Sequence, residues 1–160
     1  MQISQTKEQI DALAGLQAHC DLRSILLQSS STTRAKAGTV FAEPFSVKPN
    51  LSNVSSSVTS GAIVVEAGFE YAAWDSSDPP VRLFLITCTF EISYSLRDDY
   101  APSQDELASF GKGAAVFHCW PYVREFFSDV TARMGHAAPP LPLLRIVPKR
   151  DQATSNLALE

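Results

Sequence analysis

From Phe84 to Leu96 the even positions Phe84, Ile86, Cys88, Phe90, Ile92, Tyr94 and Leu96 are all apolar, while Thr87, Thr89, Glu91, Ser93 and Ser95 stand between them. Side chains alternate across a strand with a period of two, so this pattern describes a long strand with one dry and one wet face. A second strand of the same kind runs from Gly61 to Trp74, where Ile63, Val65, Ala67, Phe69 and Tyr71 are apolar and Glu66 and Glu70 fall opposite. Between the two lies Asp75-Ser76-Ser77-Asp78-Pro79-Pro80, a run of turn formers. It is too short for the crossover that parallel neighbours need, so the pair is a hairpin and the sheet antiparallel.

Two further strands precede the hairpin. Asp21 to Thr33 opens on Leu22, Ile25, Leu26 and Leu27 and runs into a Ser/Thr tract poor in helix formers. Phe45, Val47 and Leu51 alternate with polar residues, and Pro49 among them lacks a ladder donor, which places this strand at an edge. Asn53 to Ser57 is read as a polar connector, and Arg34 to Thr39 as a loop.

Helical signals flank the sheet. Thr6 and Gln9 fit a capping box ahead of Ile10, Leu13 and Ala14, predicting a helix over 6–19. Ser103 and Glu106 fit a second, followed by Leu107, Phe110, Ala114 and Phe117 on one face, with Gly111 and Gly113 weakening the helix. Pro121 cannot donate to the carbonyl four residues back, so a break is expected at Trp120 and a new helix from Pro121. Trp120, Val123, Phe127, Val130 and Met134 form its apolar stripe, Asp129 and Arg133 pair on its outside, and Gly135 ends it. Ala138 to Leu144 is proline-rich and apolar, hence extended and laid along a surface. The expected architecture is α+β: a four-stranded antiparallel sheet with an N-terminal helix and two C-terminal helices. It forms one domain over residues 1–147, and the polar remainder, 148–160, is expected to be disordered.

Composition narrows the function. The chain of 160 residues can bury about two-thirds of its unfolded surface. With 45% apolar and only 19% charged residues it is lean in charge, which leaves apolar surface for a partner. A net charge of −4 and scattered Lys and Arg do not make the basic face that nucleic acid requires. The polar start lacks the pattern of an export signal and no apolar run is long enough to span a bilayer, so a cytoplasmic protein without membrane insertion is expected. Cys20, Cys88 and Cys119 are then reduced thiols.

The motifs that suggest catalysis do not assemble. His19-Cys20 and His118-Cys119 are adjacent pairs, whose side chains diverge, whereas zinc ligands are spaced by two or more residues. No glycine-framed nucleophile surrounds the cysteines. Gly111-Lys112-Gly113 lies within a helical pattern, not after a strand, so it is not a nucleotide loop. Glu66 and Glu70 share a solvated sheet face. No enzyme activity, cofactor or metal is expected.

What a small domain does not absorb is the combined apolar excess: a full strand face, the aromatic group Trp120, Tyr122, Phe126 and Phe127, and a leucine-proline strip. Here the residues carry a resemblance. Phe117-His118-Cys119-Trp120-Pro121-Tyr122-Val123-Arg124-Glu125, then Arg133-Met134 and Pro139-Pro140-Leu141-Pro142-Leu143, resembles the SecB-like chaperone family. In that family a helix opening with Phe/Trp-Pro-Tyr-x-Arg-Glu precedes an apolar, proline-containing segment. The specific match covers 107–144, and a looser match in element order covers the strands from Asp21 to Leu96.

The resemblance implies an ATP-independent holdase that binds unfolded or pre-secretory polypeptides in apolar grooves, assembled as a dimer of dimers. It implies client-binding roles for Phe84, Ile86, Phe90 and Ile92 of the sheet, for Trp120, Tyr122 and Phe126 of the helix, and for Leu141, Leu143 and Leu144 of the strip. The translocation motor and an antitoxin are partners within the family. The acidic strand residue that helps the export chaperone contact the motor has no obvious match around Thr89-Phe90-Glu91, and the helix over 6–19 is an addition shared with divergent members that guard antitoxins. The alternative is a dedicated partner-binding or structural subunit on the same fold.

Overall fold

The computed structural model describes residues 1–35, 46–97, 100–136 and 141–149. Four long strands form the main sheet: β2 (Cys20–Arg34), β3 (Ser46–Thr59), β4 (Ala62–Trp74) and β5 (Arg82–Leu96). Their order is β2-β5-β4-β3, all neighbours antiparallel, so the first strand of the sheet pairs with the last and β3 lies at an edge as Pro49 requires. The turn between β4 and β5 is built on Asp75, whose Oδ1 accepts from the Ser77 amide at 3.2 Å, the Ser77 hydroxyl at 2.6 Å and the Val81 amide at 2.7 Å. Between β3 and β4, Ser60 and Gly61 take φ of 50° and 72°, the left-handed pair that matches the twist of a tight hairpin.

The expected polar connector Asn53 to Ser57 is instead the second half of β3, paired to Gly68 through Val64. Its serines follow a β-bulge after Leu51 and run along an edge, where one side of each residue remains wet and polar side chains cost little.

Helices cover one sheet face. The first, α1 (Lys7–Gln17), begins at the Thr6 and Gln9 capping box, and Leu16, more than Ala14, is its buried anchor. The helix α2 (Gln104–Phe110) begins at the Ser103 and Glu106 box. A π-helical turn at Gly111–Ala115 joins it to α3 (Val116–Arg133), so Gln104 to Arg133 is helical throughout. The expected break at Pro121 does not occur. Pro121 and Phe117, whose carbonyl loses its partner, both lie on the exposed side of α3, where solvent can reach that carbonyl. The interruption falls instead at the two glycines. The wider turn adds a residue to the helix, which rotates Phe117 off the apolar stripe to the surface and brings Val116 and Cys119 inward. Gly135, at φ 80°, ends α3 by the left-handed route, and Asp129 pairs with Arg133 at 2.9 Å.

The core lies between this helical layer and the sheet. Ile63, Val65, Ala67, Phe69 and Tyr71 of β4 and Phe84, Ile86, Cys88, Phe90, Ile92 and Tyr94 of β5 are buried against Phe110, Trp120, Val123 and Phe127. Ring contacts tie the layers: Tyr94 to Phe110 at 4.8 Å, Tyr71 to Phe127 at 5.2 Å and Phe69 to Trp120 at 6.1 Å.

Two short strands not expected from the sequence form a separate parallel pair, β1 (Gln2–Gln5) with β6 (Arg145–Pro148). The expected disordered tail lies outside the described residues from position 150 onward.

Candidate functional site

Of the ten side chains assigned to polypeptide binding from the sequence, Phe84, Ile86, Phe90, Ile92 and Trp120 are in the core of this chain, and Leu141 and Leu144 are buried where the strip meets it. Phe126 is half-buried. Tyr122 and Leu143 are exposed, at 48% and 67% of their surface. The structure brings Phe90, Tyr122 and Phe126 together and leaves Leu143 apart on the strip.

The surface that results is a cleft between β2 and α3. Leu22, Ile25 and Leu27 pair with Tyr94, Ile92 and Phe90, so they lie on the helix-facing side of the sheet. The helical layer does not extend over this edge. Leu22 and Leu27 stay open to solvent while Ile25 is half-buried. From α3, Tyr122, Phe126 and Asp129 follow at helical spacing along one flank. Leu27, Phe90, Tyr122, Glu125, Phe126 and Asp129 line an open depression of about 260 Å³. At its floor the Phe126 ring stands edge-on to Phe90 at 6.4 Å. With its apolar lining and the carboxylates of Glu125 and Asp129, this surface could bury aliphatic or aromatic side chains at about 25 cal/mol per Å².

Leu22 and Leu27 were not assigned from the sequence. The leucine-rich start of β2 was the available signal: four aliphatic residues on an edge strand exceed what one buried face needs, and Leu26, opposite Glu91, is exposed on the far face.

The thiols are placed for packing. Burial pushes the Cys88 and Cys119 thiols up to about 12, and Cys20 is also raised, chiefly by burial. His118 Nδ1 lies 3.0 Å from the Tyr94 hydroxyl, and burial lowers the imidazole pKa. Among the described residues no group of three or more His, Cys, Asp or Glu converges to hold a metal. No helix among them is long and apolar enough to cross a membrane.

No protein-family model and no curated protein matches the sequence. The three-dimensional comparison finds a match in the SecB-like chaperone Rv1957 of Mycobacterium tuberculosis, solved with a ChAD peptide from the antitoxin HigA1. The two superimpose with a TM-score of 0.73 over 86% of this chain and 98% of that one, at 17% identity. A protein of unknown function from Streptococcus agalactiae covers 78% of this chain at 14% identity, but its TM-score of 0.38 is too low to support an assignment. The chain has a SecB-like fold.

Proposed function

We propose that this protein is a polypeptide-binding chaperone, an ATP-independent holdase that takes up unfolded or precursor chains along the β2–α3 cleft. The observation that carries the reading is the open apolar cleft of Leu27, Phe90, Tyr122 and Phe126 on a SecB-like fold. Rv1957, a structural neighbour, was solved with a peptide from an antitoxin, which supports polypeptide as the ligand class. The cytoplasm is the compartment in which reduced thiols and such clients coincide.

We further infer a homo-oligomer, a dimer of dimers. The outer edge of β2 has no strand partner among the described residues and carries Leu26 exposed on the sheet face away from the cleft, a combination that single subunits rarely leave open. Four chains of 17.4 kDa give a mass of about 70 kDa in solution.

Aggregation of the insulin B chain after reduction, followed by light scattering without nucleotide, tests the holdase. Suppression at several-fold excess is expected, and its absence contradicts the reading. A protein that ignores the B chain but purifies with one stoichiometric partner would instead be a dedicated partner-binding subunit.

A further inference from the structure

The leucine-proline strip that follows α3 is held at two points. On the core side Leu141 and Leu144 are buried and the Trp120 indole donates to the Pro142 carbonyl at 3.0 Å, while Leu143 between them faces solvent. Downstream the chain becomes β6, whose only strand partner among the described residues is β1. The register runs Gln2 to Arg145, Ile3 to Ile146, Ser4 to Val147 and Gln5 to Pro148. The Arg145 amide donates to the Met1 carbonyl at 3.1 Å and the Lys149 amide to the Gln5 carbonyl at 2.6 Å.

This pair is separate from the main sheet. Four residues of parallel ladder, with no third strand among the described residues, make a weak element, since parallel pairing is the less stable kind and two strands alone are marginal. A side chain fixes it to the helices: Gln5 is buried and its Nε2 donates to the Ser109 carbonyl at 3.0 Å, beside the π turn. Gly113 leaves room for that amide, because a Cβ there would come within 3.0 Å of Nε2 and 3.1 Å of Oε1. Yet Gln5 Oε1 is buried with no hydrogen-bond partner among the described residues. An unsatisfied buried acceptor opposes the docked state and regains water on release, so the anchor both locates β1 and favours its departure.

We propose that β1 is a releasable clip on the 141–148 strip. With the clip closed, Leu141 and Leu144 cover Trp120. With it open, β6 loses its ladder, the strip lifts, and the Trp120 face joins the apolar surface offered to a polypeptide. The clip thus regulates the binding proposed above, and rests on that reading for its purpose but not for its existence.

The test replaces the register partners Ile3 and Ile146 by cysteine in a Cys20→Ser, Trp74→Phe background, leaving Trp120 as the sole tryptophan. In the reduced protein the Arg145 and Lys149 amides are expected to exchange at least about ten-fold faster than the core amides of β4 and β5, as a local opening requires. Oxidation to the Ile3→Cys/Ile146→Cys disulfide slows that exchange, shifts Trp120 emission to the blue and lowers uptake of reduced, carboxymethylated α-lactalbumin; dithiothreitol reverses all three. The proposal is overturned if Arg145 and Lys149 exchange with the core, or if locking leaves exchange and emission unchanged. Exchange and emission read the clip without a client, so failure of uptake in both states would reject the holdase alone. Gln5→Glu, which places a charge at the buried anchor, is expected to open the clip without the disulfide, raising exchange at Arg145 and Lys149 while the core amides keep their protection. Unaltered exchange in that variant also overturns it.

Discussion

The indole nitrogen of Trp120 donates to the carbonyl of Pro142, 22 positions later in the chain, at 3.0 Å. This bond fastens the proline strip to the helix whose sequence announced it, through a donor that a phenylalanine, which is also smaller, does not have. The ring packs on Phe69 at 6.1 Å and the N–H turns outward to a segment whose prolines cannot form a ladder of their own.

Trp120→Phe removes the donor to the Pro142 carbonyl and, because phenyl is smaller than indole, leaves a small cavity in the core. A loss of about 1 to 3 kcal/mol is expected in urea unfolding, about 1 kcal/mol of it the usual net value of one hydrogen bond and the rest the cavity. Trp120→Ala, which also opens a cavity, is expected to cost about 3 to 5 kcal/mol.

Gly111 sits against β3, where an added Cβ would stand 2.2 Å from the Ser56 hydroxyl and 3.2 Å from a Val54 methyl. Overpacking of this kind costs about 1 to 3 kcal/mol and outweighs the gain of about 1 kcal/mol from replacing a helical glycine. Gly111→Ala is therefore expected to destabilise the fold, and Ser56→Ala in the same chain to restore part of the loss. Equal unfolding midpoints for Gly111→Ala and wild type would contradict the contact.

His118 is half-buried beside Tyr94, and burial lowers its pKa below the ordinary value near 6.5. Above 6.5 the imidazole is neutral in both states and contributes no pH dependence. As pH falls through 6.5 the unfolded chain takes up a proton that the folded one resists, so stability is lost down to the folded pKa. Urea midpoints measured from pH 7 to pH 5 are expected to fall less steeply in His118→Asn than in wild type.

The thiols give an independent reading of the core. With Cys88 and Cys119 buried and their thiols near 12, a disulfide reagent at pH 8 is expected to modify half-buried Cys20 first and the other two only on unfolding. Rapid reaction at three sites in the native protein would contradict the packing.

The sheet was legible because its signals are local. A period of two over β5, a turn of Asp, Ser and Pro, and two capping boxes each specify their own backbone, and each appears where the residues require it. Pro121 misled because the rule against proline in helices assumes a carbonyl with nowhere to turn, and Phe117 has solvent. The π turn reversed the meaning of Gly111 and Gly113: their value lies in contacts with Ser56 and Leu13, residues 55 and 100 positions away, which no local pattern reveals. The strands β1 and β6 were invisible for the same reason, since four residues acquire a ladder only when Gln2–Gln5 and Arg145–Pro148, more than 100 positions apart, come together. At the cleft, the aromatic flank was legible in the sequence, whereas the burial of Phe84, Ile86, Phe90 and Ile92 within this chain and the exposure of Leu22 and Leu27 were not, because a strand's apolar face does not tell which part of it the helices cover.

The most direct test is size-exclusion chromatography with light scattering of the protein mixed with reduced, carboxymethylated α-lactalbumin, which stays unfolded. Wild type is expected to co-elute with this client. The Leu27→Asp/Tyr122→Asp variant, which charges two exposed cleft residues and should retain its circular dichroism and urea midpoint, is expected to lose it. Client eluting alone beside wild type, or uptake undiminished in the folded variant, would contradict a polypeptide-binding cleft between β2 and α3.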